Sequence, residues 1–193
     1  MFFASGVTNF GRLPVLAKSV AELDLIGSSE RLEDKITILG FLGSDLEIKK
    51  ANVFNLNQKI YKRFYEFKDF QMVMVVPEGN DQKIEEIKKE LVILADIRNW
   101  KFVSASTDKI PALFESLQTG LELDEYKGTP YVFIIDKDRN LRGRNDDEEG
   151  LKYGYDATSV ADINNKMEDD VKIILAEYRL ALKDRKKTSK TDE

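Results

Sequence analysis

The chain has 193 residues, 42% of them apolar and 34% charged, and a net charge of −5. This is enough apolar material for one compact core, and the acidic balance argues against nucleic acid, whose binding rests on neutralising phosphates. Cysteine and histidine are both absent, which excludes disulfides, thiolate nucleophiles, CxxC redox pairs, Cys/His zinc sites, the usual haem and iron–sulfur ligation, and Ser-His-Asp or Cys-His catalysis.

Residues 1–19 read as an N-terminal extension. Met1-Phe2-Phe3-Ala4-Ser5-Gly6 looks like the last turn of an apolar segment, and a signal or membrane anchor is expected ahead of Phe2. No apolar run inside the chain reaches the about 18–20 residues of a membrane-crossing helix. Gly6, Gly11, Pro14 and Gly27-Ser28-Ser29 punctuate the first 34 residues, with Leu13 to Leu16 a candidate edge strand. The domain proper is expected over 20–183.

Lys35 to Leu42 (KITILGFL) reads as a strand buried on both faces, ended by Gly43-Ser44-Asp45. A helix is expected over 45–67, with Val53, Leu56, Ile60 and Phe64 inward. Phe70 to Val76 reads as the second strand. Asp81 to Arg98 reads as a helix with the stripe Ile84, Ile87, Leu91 and Leu94. The β-α-β-α order implies parallel strands joined by right-handed crossovers. Lys101 to Ala105 is a third short strand. Thr107-Asp108 would cap a short helix with Pro111 in its first turn. Tyr131 to Asp136 is a buried strand, Lys137 to Asn140 a hairpin turn, and Leu141 to Arg144 the antiparallel return. Residues 145–157 read as an acidic loop with Gly and Tyr. A long helix is expected over 159–183, with Val160, Ile163, Met167, Val171, Ile174 and Tyr178 inward. Residues 184–193 read as a charged, disordered tail.

A β-α-β-α run followed by a late hairpin and a closing helix resembles the thioredoxin plan: an α/β fold with a central mixed sheet flanked by helices. Two segments carry the resemblance. In KITILGFLGSDLEI (35–48) a buried strand breaks at small residues into a helix, and thioredoxin-like proteins place their cysteines at that break. GTPYVFIIDKDRNLRG (128–143) is similar to the segment that carries their cis proline, so Pro130 is expected to be cis. Within the superfamily the chain looks most like the Sco and TlpA-type branch over about residues 20–182. Gly40-Phe41 matches the Gly-Phe that precedes the Sco C-x-x-x-C. Ser44 and Ile48 then fall on the cysteine positions, and Gly128 falls near the histidine position. The resemblance thus implies the fold without its metal or redox chemistry, so no cofactor and no metal are expected. The chain also resembles membrane-anchored proteins of Bacteroidetes-type bacteria.

The remaining motifs have ordinary explanations. Ser44 or Asp45 at a helix start reads as an N-cap before it reads as a nucleophile, because no base is evident. Asp136-x-Asp138-x-Asn140 departs from a calcium loop at its sixth position, Leu141, and reads as a turn. Lys59 to Tyr65 is an amphipathic helix face, and Trp100 and Tyr126 are expected in core or rim packing.

Three readings of function follow. The leading one is a non-catalytic binding or assembly module at the bacterial cell envelope, periplasmic and membrane-anchored. Its partner would be a protein, bound on the face formed by Gly43, Ser44, Asp45, Gly128, Thr129, Pro130, Tyr131, Tyr153 and Tyr155, and the Sco likeness suggests respiratory-oxidase assembly. The others are an enzyme built from carboxylates and Ser44, and a purely structural or oligomerisation domain.

Overall fold

The computed structural model describes residues 11–189. The sequence Phe2 to Gly6, and with it the expected anchor, lies outside the described residues. No helix among the described residues is long and apolar enough to cross a membrane.

The β-branched run of the first strand becomes β2 (Ile36–Leu42), buried along its whole length. It pairs in parallel with β3 (Phe70–Pro77), which pairs in parallel with β4 (Trp100–Ala105). On the other side of β2 lies the antiparallel β5 (Gly128–Ile135). The short β6 (Leu141–Arg142) follows, and then β1 (Val15–Ala17) at the edge. The strand order is β1-β6-β5-β2-β3-β4. A two-stranded hairpin, β7 (Arg144–Asp147) and β8 (Gly150–Lys152), replaces the expected acidic loop. β9 (Tyr155–Asp156) returns to pair with β5.

Helices cover both faces, as buried parallel strands require. On one face pack α1 (Leu46–Leu56), α3 (Asp81–Leu94) and α6 (Glu168–Ser189), over a core that includes Ile38, Met72, Met74 and Trp100. On the other pack α4 (Ile110–Glu115), a 3-10 turn (Leu23–Ile26) and the residues around it, over Leu39, Phe41, Val73 and Phe133. Val20, Leu23 and Leu32 are fully buried there, so the irregular early segment forms part of the core.

Two helices differ from strict 3.6-residue periodicity. α1 continues through a π turn (Asn57–Tyr61) into α2 (Lys62–Phe64). A π turn inserts one extra residue, so Ile60 and Tyr61 both face inward and Phe64 is only partly buried. The last helix opens with α5 (Val160–Asp162) and a second π turn (Ile163–Met167) before α6. Val160 therefore lies outside the stripe and is exposed, while Ile163, Met167, Val171 and Ile174 are buried. α6 runs on to Ser189, past the expected end at 183.

The short helix is capped differently from expectation. Its N-cap is Lys109, with no side-chain cap, and Ser106 and Asp108 bond each other instead. α3 ends at Leu94, four residues before Arg98, and Leu94 is exposed.

Candidate functional site

The break after β2 is built from backbone packed on backbone. Gly43 has φ +70°, and a Cβ there would lie 2.8 Å from the Gly128 nitrogen and from the Tyr126 carbonyl oxygen. A Cβ on Gly128 would lie 2.9 Å from the Leu42 carbonyl oxygen. The Ser44 amide donates to the Tyr126 carbonyl at 3.0 Å. Glycine is required where main chains approach this closely with positive φ. The structure thus brings Gly43, Ser44 and Asp45 against Gly128.

Asp124 organises the facing loop. Its Oδ1 accepts from the amides of Tyr126 (2.9 Å) and Gly128 (2.8 Å), and its own amide donates to the Gly128 carbonyl (2.8 Å). Lys49 on α1 approaches the other carboxylate oxygen at 3.6 Å. The sequence signal for this knot was an Asp four residues before a Gly, a common Asx-turn arrangement.

Of the two residues that the resemblance sets at cysteine positions, Ser44 is half-buried and Ile48 is 68% exposed on α1. Asp45 occupies the N-cap of α1, but its side chain makes no capping bond, contrary to the cap expected there. Tyr126, expected in packing, is 47% exposed beside the break. Ile48 and Tyr126 thus leave two exposed apolar side chains beside the break.

The other predicted residues divide. Thr129 is buried, and its Oγ1 accepts from the Tyr131 amide at 3.3 Å. Pro130 is trans, since no cis peptide bond occurs among the described residues. It lies in a bulge where the register passes from Gly40↔Val132 to Leu42↔Gly128, two residues of β2 against four of β5. A strand bulge accommodates a residue without an N–H, so the extended chain needs no cis turn there. The Pro130 carbonyl accepts from the Ala157 amide at 2.9 Å. Tyr131 and Tyr153 are half-buried and pack together with Leu121 against the second core. Tyr155 is fully buried in the first core, where its hydroxyl donates to Asp170 at 2.6 Å, and it is not part of an accessible face. Burial raises its pKa well above the ordinary tyrosine value, and the neighbouring Asp170 carboxylate adds to this.

The acidic hairpin is held to the last helix rather than free. Asp147 pairs with Lys166 at 2.9 Å, and Arg144 makes a two-point contact with Asp170 at 2.8 and 3.0 Å. Asp136 is the centre of its turn. Its Oδ1 accepts from the amides of Asp138 and Asn140, and its Oδ2 accepts from Arg142. Sequence reasoning passed over Arg142, which is buried. Its guanidinium also contacts both Glu177 oxygens at 2.7 Å and donates from Nε to the Leu13 carbonyl at 2.7 Å. With the guanidinium joining them, these carboxylates form a structural clamp rather than an acid–base pair. Among the described residues no group of three acidic side chains converges to hold a metal ion.

No protein-family model and no curated protein matches this sequence. Solved structures do match. A proposed electron transfer protein of Aquifex aeolicus VF5 superposes with a TM-score of 0.52 at 16% identity, covering 85% of this chain and 92% of that one. ScoI of Arabidopsis thaliana with copper bound gives 0.46 at 17% identity, covering 73% and 86%. A thiol:disulfide interchange protein from Bacteroides sp. gives 0.44 at 17% identity, covering 68% and 78%. With its mixed central sheet flanked by helices and its long closing helix, the chain has the thioredoxin-like fold, without any cysteine.

Proposed function

We propose that this chain is a non-catalytic thioredoxin-like binding module that engages a protein partner at the break after β2. The observation that carries this is the surface at the break itself. The turn at 43–45 and the loop at 124–128 are locked together through main-chain contacts, yet the residue at the second cysteine position is an isoleucine with most of its surface in water. Exposed apolar groups on a rigid frame favour contact over chemistry, because a partner recovers the hydrophobic free energy without the frame losing entropy. On this reading the setting is the outer side of a bacterial inner membrane, with the chain tethered by an N-terminal anchor. Respiratory-oxidase assembly is the process suggested by the Gly40-Phe41 likeness to Sco proteins.

A photo-crosslinking amino acid placed at Ile48 or Tyr126 tests the face in cells of the source organism, with exposed Lys172 as the control position. The expected result is a discrete adduct from 48 and 126 that is absent from 172 and lost in an Ile48→Asp background probed from 126. No adduct from either position, or the same adducts from 172, would overturn the reading.

A further inference from the structure

Among the described residues the sheet ends at β4, and no strand pairs with its outer edge. The amide of Met72 donates to the Asn99 carbonyl, and that of Glu78 to the Ala105 carbonyl, which fixes the odd-numbered residues of this strand as the ones facing β3. Phe102 and Ser104 therefore turn their N–H and C=O groups outward. Among the described residues no hydrogen bond reaches these four groups. The usual protections of an edge are missing: β4 holds no proline, and its pairing with β3 runs without a bulge. Lys101, the charge that could guard the edge, reaches instead toward Glu30 at 3.7 Å.

The helix above this edge has a matching charge pattern. Asp81, Glu85, Lys88 and Val92 follow one another at helical spacing along the side of α3 that faces β4. Asp81 Oδ1 lies 3.4 Å from Ser104 Oγ, and Lys88 Nζ lies 6.0 Å over the Phe102 ring. The opposite side of α3 faces α1, where Glu90 pairs with Lys50 at 2.5 Å. Along the β4 side, an acid thus stands at the level of Ser104 and a base at the level of Phe102.

We propose that two copies of this chain pair antiparallel through β4, making one continuous sheet with Val103 on the two-fold axis. In that register Phe102 of each copy opposes Ser104 of the other. The two residues exchange both of their free hydrogen bonds, four bonds in all. The same register brings Asp81 of one copy to the level of Lys88 of the second copy, and the reverse. Glu85 falls near the axis, neutralised within its own chain by Lys88 at 2.7 Å. Strands about 4.8 Å apart bring the two α3 helices, each lying over its own β3–β4 pair, to about the 8–10 Å at which helices pack. Val92, 60% exposed in the single chain, lies on the side of α3 that turns toward the second copy. An unrelated extended peptide would satisfy the backbone edge equally well, but it would not present the reversed acid–base order. The charge pattern therefore selects a second copy. This surface is distinct from the break after β2, so its failure would leave the proposed function standing.

Sedimentation velocity of the full chain, from micromolar to sub-millimolar concentration, tests the pairing. The expected result is a reversible dimer. Ser104→Pro removes an outward N–H that the fold does not use, and costs the dimer two of its four hydrogen bonds, at least about a tenfold loss of affinity. Lys88→Asp weakens it about fivefold, and Asp81→Lys combined with Lys88→Asp restores it to within about twofold of wild type. Thermal melts by circular dichroism confirm that each variant folds, and the charge exchange decides the matter if Ser104→Pro does not. A wild-type monomer at every concentration, a dimer indifferent to Ser104→Pro, or a double exchange no better than its worse single variant would each overturn the proposal.

Discussion

Gly43 shows how much one residue settles at the break after β2. Its positive φ and the 2.8 Å approach to the Gly128 nitrogen act together. Gly43→Ala is expected to cost about 2–4 kcal/mol, the left-handed backbone penalty plus displacement of the facing main chain. Gly79, at φ +87° with open space around it, is the control: Gly79→Ala should cost about 1 kcal/mol. Urea unfolding measures both, and equal costs would show that turn and loop are not locked. Tyr178 carries a second residue-scale prediction. Burial, helped by the nearby Asp136 carboxylate, raises its pKa to about 12. A phenol that holds its proton more tightly folded than unfolded stabilises the protein fully below the unfolded pKa of about 10, and that stability is lost as pH rises through about 12. Alkaline titration of tyrosinate absorbance should show a late step that Tyr178→Phe makes smaller by one tyrosine, and Tyr178→Phe should flatten the loss of stability over that interval. The glycines and Pro130 could be located from sequence, because their backbone constraints are local. Pro130's trans state could not, because it depends on a bulge between strands about 90 positions apart in the chain.

Among elements, β1 owes its place to side chains that are remote in sequence. Glu177 on α6 accepts the Leu13 amide at 2.6 Å, and Arg142 on β6 donates to the Leu13 carbonyl. Arg142→Met leaves the Asp136 and Glu177 carboxylates without their buried cation and should cost about 3–5 kcal/mol. Hydrogen exchange should show the Leu13 amide, slow in wild type, becoming fast in the variant while amides of β2 and β3 stay protected. A global melt with uniform loss of protection would show that the clamp is integral to the core rather than a fastening for β1. The strands and helices were legible from apolar periodicity, and β2, β3, β5 and α3 begin within a few residues of where that pattern puts them. The π turns were not, because an inserted residue leaves composition unchanged and shifts phase only downstream. Tyr61 therefore emerges in the core, donating to the Asp96 carbonyl at 2.6 Å, although it sits in a basic, outward-looking stretch. The hairpin at 144–152 was hidden by its charge, which a strand tolerates when opposite charges on the last helix meet it, Lys166 for Asp147 and Asp170 for Arg144.

For the whole molecule, the thioredoxin-like plan could be read from the order of elements and from the two segments around Gly43 and Pro130. The candidate surface was legible in part. Ser44 and Ile48 were placed by likeness, whereas the exposure of Tyr126 and the organising role of Asp124 depend on how the 124–128 loop folds back on the break. A chain without Cys or His also makes a direct chemical prediction. Titration with copper or zinc should reveal no stoichiometric site tighter than about micromolar, because the soft and imidazole ligands such ions favour are missing. A tight, saturable site would show that carboxylates gather in solution in a way the described residues do not.

The clamp on β1 has a consequence for synthesis. Leu13 leaves the ribosome early, yet its carbonyl waits for Arg142, 129 residues later, and its amide for Glu177, 164 residues later. At about 5–20 residues per second, the first strand is made roughly 6–26 seconds before Arg142 can hold it. Throughout that interval the β2–β3–β4 portion, whose partners follow in order, can already assemble. The N-terminal strand therefore joins last, and the order of synthesis leaves the closing of the sheet's β1 edge to the final helix.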